Sequence, residues 1–132
     1  VARWQLFLEN NLTPVVAPLT HDGQGHLLNT NADTIASSLA IALSEIYQVR
    51  LLYCFEKTGV LENVADENSL LPLINKEIYA ELLGKNKLFE GILPKIENAF
   101  TAINAGVKEV LIGNAKHLLQ NVSGEIKGTL IV

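Results

Sequence analysis

Runs of apolar residues alternate along this chain with segments whose apolar residues recur at helical spacing. Residues 49–55 are apolar except for Arg50, which is typical of a strand buried on both faces of a sheet, and residues 107–112, apolar at four of six positions, predict another buried strand. A predicted helix precedes each run, from Asn31 to about Ile46 and over Pro94–Ala105. This order predicts an α/β fold, a mostly parallel sheet with helices on both faces.

Weaker signals predict the remaining elements. Asp22-Gly23 indicates the turn of a hairpin whose return strand contains Leu27 and Leu28, and Gly23 and Gly25 are read as turn residues. We also expect a loop or small hairpin over residues 59–69 and a closing strand, Gly128–Val132, at a sheet edge. The other predicted elements are a helix end at 1–10, a buried strand at Thr13–Leu19, and helices at Asn75–Leu83 and Ala115–Asn121.

Composition narrows the class of protein. The 132 residues suffice for one domain, and 48% hydrophobic with 18% charged residues indicates a globular chain. The net charge of −4 gives no basic footprint for nucleic acid, and no apolar run reaches the roughly 18 residues of a membrane span. Cys54, the single cysteine, is expected in the core. Because it cannot form a disulfide within the chain, it favours a cytoplasmic setting. A start at Val1 without any methionine favours part of a longer protein.

Several common sites are absent from the sequence. The chain has neither a Gly-x-x-x-x-Gly-Lys-Ser/Thr phosphate loop nor a Gly-x-Gly-x-x-Gly dinucleotide motif after a strand. The three histidines, His21, His26 and His117, do not form a metal-binding spacing with Cys54, so we expect no protein metal site. No constellation for nucleophilic catalysis is visible.

Two charged residues at predicted helix starts stand out. Asp33 follows the potential cap Asn31, and a carboxylate in a first turn is stabilised by the helix dipole. Lys95 occupies the first turn of the Pro94–Ala105 helix, where the dipole disfavours a cation. Such a lysine suggests an anionic partner, and phosphate is the natural candidate at a helix start. The pattern alone leaves both residues open between an ordinary and a functional role.

The same segments resemble the amino acid kinase family. Asn29-Thr30-Asn31-Ala32-Asp33 resembles its Asn-x-Asn-Ala-Asp motif, which is typical of members that act on N-acetyl-L-glutamate. Gly91-Ile92-Leu93-Pro94-Lys95 resembles its Gly-Met-Ile-Pro-Lys, and Pro14–Pro18 and Gly128-Thr129 resemble its strand before the hairpin and its terminal Gly-Thr. The resemblance spans the whole chain but only the C-terminal, ATP-binding half of those enzymes. Glu56 replaces an aspartate of the family pattern, and Glu90 stands where a glycine is common.

The resemblance implies a three-layer αβα sandwich and ATP-dependent phosphorylation of the side-chain carboxylate of N-acetyl-L-glutamate, in arginine biosynthesis, with ATP and Mg²⁺. Lys95 would bind the transferring phosphoryl group, and Asp33 would orient Lys95 and a second lysine from the other half. Asn29 and Asn31 would contact the acyl-glutamate. Two segments would line the nucleotide: Glu56, Lys57, Thr58, Gly59, Val60 and Leu61 in the first, and Lys87, Leu88, Phe89, Glu90, Gly91 and Ile92 in the second.

Alternatives remain open from the sequence. One is another member of the family, of the glutamate 5-kinase, aspartokinase or UMP kinase type. Another is a stand-alone, non-catalytic nucleotide-binding domain. On the kinase reading, we expect a homo-oligomeric full-length protein without nucleic-acid or membrane partners, and an isolated chain that is inactive or very weak.

Overall fold

Helices and strands alternate along most of the chain in the computed structural model, which describes residues 1–85, 88 and 91–132. The helices are α1 (Ala2–Glu9), α2 (Ala32–Ser44), α3 (Lys76–Gly84), α4 (Leu93–Asn104) and α5 (Leu118–Ser123), the last preceded by a 3₁₀ turn at Ala115–His117. The strands are β1 (Leu19–His21), β2 (Leu27–Asn29), β3 (Arg50–Phe55), β4 (Leu73–Ile74), β5 (Glu109–Asn114) and β6 (Thr129–Ile131).

The main sheet has the strand order β3-β5-β6-β4. Strands β3 and β5 are parallel and in register from Arg50 opposite Glu109 to Phe55 opposite Asn114. Strand β6 is antiparallel to β5 and parallel to β4. The predicted α/β class with a mostly parallel sheet is confirmed, and the antiparallel pairing of β5 with β6 makes the sheet mixed. The predicted edge position of the closing strand is wrong, because β4, which sequence reasoning missed, pairs with the outer side of β6.

Helices cover both faces of this sheet, as predicted. Helices α2 and α4 pack against one face, whose core includes Ile96, Ala99, Val110, Ile112 and Ile131. Helix α5 lies on the other face, where Arg50 at the start of β3 donates hydrogen bonds to its carbonyl oxygens at Asn121 and Val122, both 3.1 Å. Strand β5 is therefore buried on both faces.

Strand β3 differs from the prediction. Leu51 and Tyr53 are buried on the α2–α4 face, but Leu52 is half-buried and Cys54 is exposed. The predictions of a doubly buried strand and of a core cysteine are wrong. The physical reason is position: β3 is an outer strand of the main sheet, and the contacts of α5 with it lie at Arg50, four residues before Cys54.

The predicted buried strand at Thr13–Leu19 is also wrong. Strand β1 begins only at Leu19, and Val15 is 96% exposed. Pro14 and Pro18 lack the amide N–H that a ladder requires, so pairing starts after the second proline. The predicted hairpin is confirmed, with β1 antiparallel to β2 and both turn glycines at positive φ.

Local signals placed the helix ends well. Side-chain oxygens of Asn31 and Asn75 accept backbone hydrogen bonds at the starts of α2 and α3. Gly106, at φ 105°, follows the end of α4 in the left-handed conformation that favours glycine. In the part of the chain that the structure describes, no helix has the length and apolarity needed to span a membrane.

Candidate active site

Lys95 and Asp33, 62 positions apart in the sequence, form an ion pair. The Nζ atom of Lys95 lies 2.5 Å from Oδ2 of Asp33. The side chains are 17% and 26% exposed respectively, so the pair is shielded but still reachable from solvent. The two residues that the charge pattern singled out therefore occupy one place.

The topology explains why they meet. Helix α2 is followed in the chain by β3, and α4 is followed by β5. Strands β3 and β5 are parallel neighbours in the sheet. Both helices therefore begin at the carboxyl ends of these strands and pack against each other. Asp33 and Lys95 lie in their first turns. Ligands of open α/β sheets bind at this edge.

The charges at this edge do not cancel. Each helix start carries about half a positive charge from its dipole, and the carboxylate and ammonium neutralise each other. About one positive charge is left from the two helix starts. Asn31 caps α2, accepting hydrogen bonds from the backbone N–H of Asp33 and Thr34, whereas Ile92, in the cap position before α4, offers no side-chain cap. The site therefore favours an anion next to Lys95.

Tyr53 lies beneath the pair and was missed by sequence reasoning. Its ring centroid is 5.5 Å from Nζ of Lys95, within the range of a cation–π contact. Its hydroxyl lies 2.5 Å from Oγ of Ser37 and donates to the backbone carbonyl of Asp33 at 3.4 Å. Burial, followed by the negative charge of Asp33, raises the pKa of Tyr53, and the Ser37 hydrogen bond opposes this. A tyrosine in an apolar strand was the only available signal.

The two predicted substrate-binding asparagines differ in role. Asn31 is a helix cap: its Oδ1 accepts from the N–H of Asp33 at 2.8 Å and of Thr34 at 3.3 Å. Asn29 ends β2 and is exposed. The structure places Asn29 two residues from the cap and four from Asp33, outside the helix.

The predicted nucleotide segment Glu56–Leu61 follows β3 directly. Its first residue, Glu56, is exposed, and its carbonyl oxygen accepts a hydrogen bond from the Asn114 side chain at 2.7 Å. Val60 and Leu61 are fully or almost fully buried, so their side chains are directed into the protein. Contacts from this segment to a ligand would come from its backbone, from the exposed Glu56 side chain and from the half-buried Lys57 and Thr58.

Thr129 holds this segment in place. Its buried hydroxyl accepts from the N–H of Val60 at 2.8 Å and donates to the carbonyl of Leu71 at 2.6 Å. Gly59 allows the close approach, because a Cβ there would lie 2.6 Å from Oγ1 of Thr129. An open, mainly apolar cavity of about 390 Å³ borders the segment on the side of Thr58, Pro72 and His117.

The second predicted nucleotide segment is described only in part. Lys87, Phe89 and Glu90 lie outside the described residues. Leu88 packs against the core and Ile92 is fully buried, whereas Gly91 is exposed just before α4.

Comparisons with known proteins identify the family of this chain. Residues 2–114 match the amino acid kinase family. The chain belongs to this family. It is 48% identical over 126 residues to an acetylglutamate kinase of Cytophaga hutchinsonii, covering 95% of this chain and 48% of that protein. An acetylglutamate kinase of Bacteroides fragilis is 52% identical over 105 residues, 80% of this chain and 40% of that protein.

A solved structure has the same fold. The smu.665 protein of Streptococcus mutans superimposes with a TM-score of 0.77 at 33% identity, over 99% of this chain and 47% of that one. The chain is thus a homologue of acetylglutamate kinases and spans about half the length of the curated relatives it matches.

Proposed function

We propose that this chain is the C-terminal, ATP-binding half of an enzyme that phosphorylates the side-chain carboxylate of N-acetyl-L-glutamate. Its acetylglutamate kinase relatives support the substrate, and the Lys95–Asp33 pair supports the chemistry. The single observation that carries the proposal is that pair at two converging helix starts. The activity would serve arginine biosynthesis in the cytoplasm.

Phosphoryl transfer needs positioning and charge stabilisation more than covalent steps. Lys95 would donate hydrogen bonds to the transferring phosphoryl group, on which negative charge is spread in the transition state. Asp33 would hold the ammonium in place and orient a second lysine from the other half of the enzyme. Two lysines around one phosphoryl group repel each other, and a carboxylate between them offsets that repulsion.

The proposed nucleotide is ATP with Mg²⁺. The surplus positive charge at the two helix starts fits a polyphosphate. The exposed backbone at Gly91 and the half-buried Lys57 and Thr58 are the groups offered to it. Mg²⁺ would neutralise part of the negative charge of the phosphates. Asn29, exposed beside Asp33 in the sequence, would contact the acyl-glutamate.

A substrate panel tests the proposal. The complete gene product is assayed for ADP release with N-acetyl-L-glutamate, glutamate, aspartate and UMP in turn. We expect release that depends on N-acetyl-L-glutamate. Activity with one of the other acceptors instead would assign the chain to another branch of the family, and ATP binding without any turnover would indicate a non-catalytic domain.

The isolated chain gives a second test. Residues 1–132 alone should show very weak or no acyl-glutamate-dependent ADP release, because the second lysine and most of the acyl-glutamate site would be missing. Robust turnover by residues 1–132 would overturn the half-enzyme assignment. Light scattering on the complete gene product tests the proposed homo-oligomer.

A further inference from the structure

We infer that Tyr53 is a positioning residue for phosphoryl transfer. Its ring supports the Lys95 ammonium, and its hydroxyl anchors the helical turn that carries Asp33. The inference rests on the proposed function. Tyr53 touches neither acceptor nor nucleotide in this role; it acts through the pair.

The ring of Tyr53 lies against the Lys95 ammonium. Lys95 stands in the first turn of α4, where the helix dipole repels its ammonium. Its contacts in the described part of the chain are the Asp33 carboxylate and the face of Tyr53, with the ring centroid 5.5 Å from Nζ. A π face attracts a cation without neutralising it. The ring therefore helps to fix the ammonium without placing a second negative charge beside it.

The hydroxyl of Tyr53 contacts two residues of α2. It is buried, as Tyr53 is only 4% exposed, and it joins the Ser37 side chain at 2.5 Å to the Asp33 carbonyl at 3.4 Å. Asp33 and Ser37 are four residues apart on α2, so one hydroxyl links the first turn of that helix to its second turn and to β3. Rotation of the turn would move the Asp33 carboxylate away from Lys95.

Packing alone explains neither the contact of the Tyr53 ring with Lys95 nor the hydrogen bonds of its hydroxyl. A leucine or phenylalanine would fill the buried space, but leucine offers no π face and phenylalanine no hydroxyl. Tyr79 shows the contrast, because its ring packs against the Phe100 ring with the centroids 5.4 Å apart. Its hydroxyl lies 3.4 Å from a carboxylate oxygen of Glu97, a solvent-exposed residue of α4. Tyr79 is the matched control.

The test measures kcat and both KM values in the complete gene product with ATP and N-acetyl-L-glutamate. We expect Tyr53→Phe to lower kcat by about twofold to fivefold and Tyr53→Leu by about tenfold to thirtyfold, the range that a shielded cation–π contact and a hydrogen bond can supply. Both KM values should change by less than about twofold, because the pair acts on the transition state. Tyr79→Phe and Tyr79→Leu should leave kcat unchanged, whatever they do to thermal stability.

A double-mutant comparison separates positioning from structure. In a Lys95→Ala background, Tyr53→Leu should cause a clearly smaller fall in kcat, because the effect of the ring passes through Lys95 and only the hydroxyl contact with the Asp33 turn remains to be lost. An equal fall in both backgrounds would overturn the inference, as would a Tyr53→Leu variant with lowered stability and unchanged kcat. If Tyr53→Leu does not fold, Tyr53→Met replaces it and Ser37→Ala tests the hydroxyl link with the same expected sign.

The outcome also separates this inference from the proposed function. If Lys95→Ala abolishes turnover while the Tyr53 variants keep full kcat, only the role of Tyr53 is wrong. If Lys95→Ala itself keeps full kcat, the proposed active site is wrong, and the role of Tyr53 is wrong with it.

Discussion

One ion pair connects the strands β3 and β5, and another connects the helices α2 and α4. The two pairs differ in the helix end that the cation faces. At the start of the parallel strands, Arg50 pairs with Glu109, and at the opposite edge Lys95 pairs with Asp33. Side-chain exposure does not separate them, since Arg50 and Glu109 are 28% and 21% exposed and Lys95 and Asp33 are 17% and 26% exposed.

What separates the pairs is the helix end that each cation faces. Arg50 also donates to carbonyl oxygens at the C-terminal end of α5, where a positive charge is favoured. Lys95 sits at the N-terminal end of α4, where a positive charge is disfavoured. The first pair is satisfied by the fold, whereas the second leaves surplus positive charge beside solvent. We therefore assign stability to the first and ligand binding to the second.

The largest expected effect is that of Lys95→Ala on turnover. Removing one preorganised electrostatic donor costs about 10²- to 10³-fold in kcat. The measurement is acyl-glutamate-dependent ADP release by the complete gene product. Lys108→Ala is the control, because Lys108 is exposed near the other end of β5. Near wild-type turnover by Lys95→Ala would remove the distinction between the two pairs.

Arg50→Ala should affect stability instead. The substitution removes the partner of Glu109 and the side-chain donor to the carbonyl oxygens of Asn121 and Val122, for a loss of about 1–3 kcal/mol in the free energy of unfolding. Urea denaturation measures this loss, and kcat of the folded protein should stay unchanged. A fall in kcat as large as that of Lys95→Ala, at unchanged stability, would contradict the structural role of this pair.

Neutralising the acids sharpens the comparison. Asp33→Asn keeps the shape of the side chain but removes the charge that holds Lys95, and we expect about a tenfold loss of kcat, or about 1.4 kcal/mol. Glu109→Gln is the matched control and should lower stability slightly with kcat intact. Equal effects of the two substitutions on kcat would argue against separate roles.

The smallest expected effect concerns alkaline pH. Because the folded state raises the pKa of Tyr53 above its ordinary value of 10.0, its contribution to stability is complete below that value and is lost as pH rises through the folded pKa. Tyr53→Phe should therefore lose less stability than the wild type above about pH 10. Thermal unfolding from pH 8 to pH 11 measures the difference; parallel curves would contradict it.

The sequence predicted the features that depend on local chemistry. Asn31 and Asn75 cap helices, and Gly106 ends α4, because caps and stops are decided within a few residues. The α/β class also followed from the alternation of patterns. Features decided by distant packing were missed: the two-residue β4 is too short for a periodic pattern, and the exposure of Cys54 depends on what covers β3.

The candidate site shows the same division. The charge pattern singled out Asp33 and Lys95 separately, since each is defined by its own helix start. Their contact depends on the parallel pairing of β3 and β5, and the family resemblance, rather than the pattern, predicted it. The hydroxyl contacts of Tyr53, Ser37 and Thr129 were missed because their partners lie on other elements.

The most direct test of the account is a crystal structure of the complete gene product with a non-hydrolysable ATP analogue and N-acetyl-L-glutamate. We predict that Nζ of Lys95 lies within hydrogen-bonding distance, about 2.7–3.2 Å, of an oxygen on the terminal phosphate, with Asp33 still paired to it. A terminal phosphate bound elsewhere, with the Lys95 ammonium directed away from it, would contradict the central claim.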